Sequence, residues 1–128
     1  MVLVAAAIVP LNFWQMFKLG GARKKHGIKY PKMYSEKNEE FNCFQRAHQN
    51  TLEVLPFFIT NLLLGGLRHP CLSAIAGTGF LVSRVMYANG YYTGKPENRV
   101  PGAKGTFASL ILLFLLAVST GAGILEYW

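Results

Sequence analysis

Three polar residues at helical spacing lie around the start of the second apolar run of the sequence. Arg46, Asn50 and Glu53 fall within about 60° of one another at about 100° per residue of a helix. They offer a guanidinium for a carboxylate, an amide, and a carboxylate for an ammonium. The structural alternative is a self-satisfied Arg46–Glu53 ion pair that pins helices together. His48 points nearly opposite to this stripe, so its spacing favours a packing or interfacial role over catalysis.

The third apolar run carries a second polar stripe. Arg84, Tyr87 and Tyr91 are spaced three and four residues apart and share a helix face. Two tyrosines and an arginine near a helix end are also typical of an interfacial aromatic belt, which is the alternative interpretation. Both stripes adjoin basic loops that we expect in the cytoplasm, so the start of the second run and the end of the third should meet at the same membrane depth. Together the stripes predict a pocket for a small zwitterionic peptide with more than one carboxylate.

The chemistry of such a pocket depends on its ligand. No Ser–His–Asp or paired-carboxylate arrangement is evident, so the nucleophile would come with the ligand. An arginine beside a bound thiol would lower the thiol pKa from about 8.5 and raise the thiolate fraction at neutral pH. A different hypothesis is an ion-coupled transporter in which Glu53 carries the proton.

Charge placement indicates the class of protein. The chain has 128 residues, 52% of them hydrophobic, and a net charge of +7. Most of its Lys and Arg side chains fall in two loops, around residues 23–37 and 95–104, while the apolar runs between hold almost none. This is the topology of a membrane protein and differs from the basic face of a nucleic-acid binder. We therefore expect no nucleic-acid partner.

Four apolar runs are long enough to cross a bilayer, at residues 2–22, 51–67, 71–92 and 106–128. The expected fold is all-α, a single integral-membrane four-helix bundle over residues 1–128. The positive-inside rule places the two basic loops in the cytoplasm. Tyr127 and Trp128 are expected in an aromatic belt at the membrane interface. Cys43 and Cys71 form no CxxC or metal pattern, so we expect no metal site and interpret both as packing residues.

Three strings resemble the membrane-associated eicosanoid and glutathione metabolism (MAPEG) family. They are FNCFQRAHQNTLEVLPFF at 41–58, RVMYANGYYTG at 84–94 and ARKKHGIKYPKMYS at 22–35. The nearest branch is similar to microsomal glutathione S-transferase 3. The resemblance implies a homotrimer of four-helix subunits that binds glutathione, as co-substrate, between neighbouring subunits near the cytoplasmic face.

The resemblance also implies roles for individual residues. Arg99 is similar to the arginine that activates the glutathione thiol, and Asn98 occupies the other candidate position. Arg23 and His48 resemble residues that act across the subunit boundary. The full set of residues that the resemblance assigns to glutathione binding is Arg23, Arg46, His48, Asn50, Glu53, Arg84, Tyr87 and Tyr91.

The expected function is a glutathione transferase and peroxidase whose bound thiolate attacks lipophilic electrophiles or lipid hydroperoxides entering from the membrane lipids. The alternative is a non-catalytic scaffold or accessory subunit that binds lipid or glutathione within a membrane complex. The endoplasmic reticulum is the expected location, with the mitochondrial outer membrane as the alternative.

Overall fold

The computed structural model describes residues 1–127, and these residues form helices and contain no strand. A turn at Ala7 separates α1 (Val2–Ala6) from α2 (Ile8–His26). The remaining helices are α3 (Glu39–Arg68), α4 (Pro70–Tyr92) and α5 (Val100–Leu125), and a short 3₁₀ helix, Pro96–Arg99, leads into α5.

Within residues 1–127, four helical segments are long and apolar enough to cross a membrane: Val2–His26, Glu39–Arg68, Pro70–Tyr92 and Pro96–Leu125. The predicted all-α architecture with four membrane helices is therefore confirmed. The helices extend beyond the predicted apolar runs, most of all α3, which begins at Glu39 rather than at residue 51. Trp128, the end of the fourth predicted run and part of the predicted aromatic belt, lies outside the described residues.

The early start of α3 has a local cause. The Asn38 side chain accepts a hydrogen bond from the Phe41 backbone N–H at 3.0 Å, which caps the first turn. Glu39 and Glu40 follow in that turn, where negative charge is favourable. The polar residues of the first stripe therefore lie inside α3, between its capped start and its apolar part.

Two buried clusters hold the bundle together. One contains Phe58 and Phe80, whose rings stack with centroids 3.9 Å apart, with Leu62 and Leu113 beside them. The other lies nearer the polar stripes and comprises Cys43, Ala47, Tyr87, Ala88 and Tyr91. The second cluster fixes α3 against α4 where the two stripes meet.

The two cysteines have different surroundings. Cys43 is 4% exposed and belongs to the second cluster, as the packing interpretation predicts. Cys71 is exposed at the start of α4, so that interpretation is wrong for Cys71 within this chain. The sequence did not distinguish them, because only the fold decides which side of each helix faces the interior.

Candidate functional site

The stripe of α3 is a connected polar group. Arg46 donates through Nη1 to Glu53 Oε1 at 3.1 Å and through Nη2 to Glu53 Oε2 at 3.2 Å. Asn50 Nδ2 donates to the same Oε2 at 3.2 Å. The three side chains share one face of the helix, as their spacing predicts. The side chains of Arg46 and Glu53 are 37% and 47% exposed, so their charged groups remain accessible.

The ion pair does not join two helices, because Arg46 and Glu53 both belong to α3. The self-satisfied Arg46–Glu53 pair of the structural alternative is therefore present, but within the described chain it does not pin two helices together. A half-exposed pair within one helix contributes little to stability. Charged groups held at the edge of an apolar helix without a packing role are those expected to meet a ligand.

The stripe of α4 is buried. Arg84 is 1% exposed, and its Nε and Nη2 both donate to Thr51 Oγ1 of α3, at 3.2 and 2.8 Å. Its guanidinium lies 4.0 Å from the centroid of the Tyr87 ring, and the Tyr87 and Tyr91 rings meet edge to face at 5.3 Å. The aromatic-belt interpretation is wrong for these residues, because belt side chains face the interface and these face the bundle interior.

A cavity of about 270 Å³ brings the two stripes together at one point. Its walls include Arg46 from α3, Tyr91 from α4 and Pro96 from the 3₁₀ helix. Cys43 also lines this cavity. The predicted meeting of the start of the second membrane helix with the end of the third is thus present in the fold.

Arg99 lies next to Tyr91, one of the residues that line this cavity. Its Cζ is 5.4 Å from the centroid of the Tyr91 ring, and its Nη1 donates to the Pro96 carbonyl at 3.2 Å. Gly90 makes this position possible, because a Cβ there would collide with the Asn98 carbonyl. The Asn98 side chain instead donates to Thr93 Oγ1 at 2.9 Å. Of the two candidates for thiol activation, the fold brings the charged one to the tyrosine.

Arg23 and His48 lie apart from the cavity walls. Arg23 is 8% exposed at the end of α2, where its guanidinium lies 4.4 Å from the Tyr30 ring centroid and forms a long hydrogen bond, 3.4 Å, to Gln45 Oε1. Its Nη1 is buried without a partner among the described residues. His48 is half-buried, and its Nδ1 is likewise unpartnered in the described part of the chain.

Sequence reasoning missed two residues that support the site. Thr51 accepts both hydrogen bonds from the buried Arg84, and Gln45 accepts the hydrogen bond from Arg23. Neither belongs to the polar stripe, because both point to the interior face of α3. The available signal was a polar residue at an interior position of an otherwise apolar helix face, which requires a partner when buried. Among residues 1–127, no group of three His, Cys, Asp or Glu side chains is arranged to hold a metal ion.

The sequence profile of the MAPEG family matches residues 1–119. The chain belongs to the MAPEG family. The chain is 36% identical to an uncharacterized protein of Synechocystis sp. over 112 residues, which cover 87% of this chain and 80% of that protein. It is 34% identical to microsomal glutathione S-transferase 2 of Mus musculus over 103 residues, covering 80% of this chain and 68% of that protein. MAPEG membership supports an integral-membrane function related to glutathione.

Proposed function

We propose that this MAPEG protein is a membrane-bound glutathione transferase with glutathione-dependent peroxidase activity. One observation carries the proposal: Arg46, Asn50 and Glu53 form a charged group that joins no two helices, beside a cavity that also reaches Tyr91. Such a group has little structural use, whereas glutathione carries two carboxylates and one ammonium that match it.

Each site residue has a role in the proposal. Glutathione exchanges its own charges for the Arg46–Glu53 pair, so Glu53 binds the γ-glutamyl ammonium and Arg46 binds a carboxylate. Tyr87 and Tyr91 line the site, and the buried Arg84 supports them from the bundle interior. Asn50 contributes an amide at the same face, and Arg23 and His48 contribute from the neighbouring subunit.

Arg99 is the proposed catalytic residue. Its guanidinium, beside Tyr91, stabilises the thiolate of bound glutathione, and the thiol proton leaves to solvent. In the transferase reaction the thiolate sulfur forms a bond to the electrophilic carbon, and the leaving group departs with the bonding electrons. In the peroxidase reaction the sulfur attacks the distal oxygen of the hydroperoxide, the O–O bond breaks, and the alkoxide takes a proton. A second glutathione then converts the resulting sulfenic acid to glutathione disulfide and water.

The proposal also covers the assembly, the location and the subfamily of the protein. The protein forms a homotrimer with the site between subunits, in the endoplasmic reticulum membrane with its basic loops in the cytoplasm. It belongs in this proposal to the microsomal glutathione S-transferase 3 branch. The basic loop after α2 supports this orientation, because cytoplasmic loops carry excess Lys and Arg.

Turnover by the purified full-length chain in neutral detergent tests the proposal. We expect glutathione-dependent conjugation of 1-chloro-2,4-dinitrobenzene and glutathione-dependent reduction of cumene hydroperoxide. Arg99→Ala serves as the matched inactive control, because it retains the binding stripe of α3. Glutathione binding without either reaction in the unaltered chain would overturn the proposal and favour the non-catalytic scaffold.

A further inference from the structure

An arginine is seated between two helices at the other end of the bundle. Arg68 is at the end of α3, and its Nη1 donates to the backbone carbonyl of Ser119 in α5 at 3.1 Å. The next residue, His69, forms a hydrogen bond through Nε2 with the Ser119 hydroxyl at 2.9 Å. Two consecutive side chains therefore hold this corner of α3 against one residue of α5.

The absence of a side chain at Gly123 leaves the space that the Arg68 guanidinium occupies. Gly123 lies four residues after Ser119, one turn along the same face of α5, and a Cβ added there would collide with Arg68 Nη1. The small residues at 119 and 123 have the spacing of a helix-packing seam. In this structure the seam accommodates an arginine side chain. A guanidinium fixed in this way loses less conformational entropy on binding an anion than a freely extended one.

Beside the guanidinium is a cavity of about 280 Å³. Six residues in the described part of the chain line it, and they include one cation, one threonine hydroxyl and one phenol, and no acid. They are Leu67, Arg68, Thr120, Gly123, Ile124 and Tyr127. The cavity thus joins an electropositive wall with hydrogen-bond donors to apolar walls at the end of two membrane helices.

We propose that this cavity binds the phosphate group of an anionic phospholipid from the leaflet at this end of the bundle. The guanidinium has N–H groups beyond the one that Ser119 occupies, and arginine binds phosphate oxygens through paired hydrogen bonds. The headgroup occupies this cavity of about 280 Å³, while the acyl chains remain in the bilayer.

The apolar walls argue for a lipid rather than free phosphate. Leu67 is 71% exposed and Ile124 is 50% exposed, so both present apolar surface next to the charged wall. Acyl chains would cover that surface, whereas an inorganic ion would leave it in water. Among the described residues, the lining contains no carboxylate to pair with a choline ammonium, which favours an anionic headgroup over phosphatidylcholine.

Lipid retention by the intact full-length protein tests the proposal. The protein in neutral detergent is titrated with dioleoyl phosphatidylglycerol, and native mass spectrometry counts the lipids that each chain retains. We expect Arg68→Gln to bind the tightly held lipid about tenfold more weakly, as expected for loss of a charge-assisted hydrogen bond. Lys104→Gln removes one positive charge near the opposite end of α5 and should leave that lipid in place.

A second variant tests whether lipid binding requires the position of the Arg68 guanidinium as well as its charge. Gly123→Ala keeps the net charge but displaces Arg68 Nη1, so retention should fall several-fold. Equal retention by Arg68→Gln, Gly123→Ala and Lys104→Gln would overturn the proposal, as would equal affinity for phosphatidylcholine or full displacement by inorganic phosphate. Glutathione binding should stay unchanged in Arg68→Gln, so this site and the proposed function can fail independently.

Discussion

Arg46 and Arg84 lie on neighbouring helices, and their surroundings give them different roles. Arg84 is 1% exposed and bound to Thr51, so it supports the tyrosines from inside the bundle. The Arg46 side chain is 37% exposed, and its partner Glu53 is on the same helix. A ligand with opposite charges can therefore replace each partner of the Arg46–Glu53 pair without moving a helix.

Glu53→Gln should weaken glutathione binding about tenfold, because the neutral amide cannot form a charge-assisted bond with the ligand ammonium. The thermal unfolding temperature should change little, since the pair within α3 is half-exposed. Isothermal titration of the purified variant with glutathione measures the first effect. Glu126→Gln, beyond the end of α5, is the charge-matched control. Unchanged affinity for glutathione in Glu53→Gln would show that Glu53 does not bind the ligand.

Thr51→Val should destabilise the fold, in contrast to Glu53→Gln. Both hydrogen bonds from the buried Arg84 guanidinium end on Thr51 Oγ1, and valine leaves those donors unsatisfied at a cost of about 2 kcal/mol. Thermal unfolding in detergent measures this loss. Thr78→Val is the control, because the exposed Thr78 hydroxyl bonds only the carbonyl of Ala74 in its own helix. Equal unfolding temperatures in the two variants would contradict the structural role of Thr51.

At the level of helices, the sequence predicted the membrane segments and the common face of the first stripe. Hydropathy detects only the apolar part of a helix, so the predicted span of 51–67 left out residues 39–50 of α3, although the stripe spacing already put Arg46 and Asn50 on a helix. The start of α3 at Glu39 depends on the Asn38 cap. The contact between Arg84 and Thr51 joins residues 33 positions apart, and single-helix spacing does not specify it. The position of Arg99 beside Tyr91 also depends on tertiary contact, because the turn before Arg99 leaves the direction of its side chain undetermined.

Gly90→Ala tests whether the 3₁₀ helix must pack against α4. An added Cβ would collide with the Asn98 carbonyl and move Arg99 away from Tyr91, although Arg99 itself is retained. We expect kcat with 1-chloro-2,4-dinitrobenzene to fall about tenfold or more, because small displacements of a positioned group cost large rate factors. Gly121→Ala is the control, since no atom of residues 1–127 outside its own helix backbone lies within 4 Å of a Cβ there. Similar kcat in both variants would contradict this positioning.

At the scale of the whole molecule, the separation of Arg23 from the cavity has a specific consequence. Within one chain Arg23 contacts Gln45 and Tyr30, whereas the cavity walls include Arg46 and Tyr91. If Arg23 serves the site of a neighbouring subunit, a complete site requires two chains. Co-expression of Arg23→Ala with Glu53→Gln would then generate some sites that take Glu53 from an Arg23→Ala chain and Arg23 from a Glu53→Gln chain, so that neither altered residue takes part in them.

The predicted outcome is partial recovery of glutathione binding in the co-expressed, co-purified assembly, while each variant alone binds weakly. Differently tagged chains allow mixed assemblies to be isolated before titration. The matched control is co-expression of Glu53→Gln with Asn50→Ala, because both changes fall on one helix face and no mixed site escapes them. Equal binding in the two mixtures would show that Arg23 acts within its own chain.

The most direct test of the central claim is thiolate formation on the protein itself. Rapid mixing of purified protein with glutathione at pH 7 should produce the ultraviolet absorbance of a thiolate, because a nearby guanidinium lowers the thiol pKa from about 8.5. In Arg99→Ala, glutathione should still bind but thiolate should appear only as the pH rises toward that ordinary value. Absence of thiolate in the unaltered chain at saturating glutathione, or an identical pH profile in Arg99→Ala, would contradict the account.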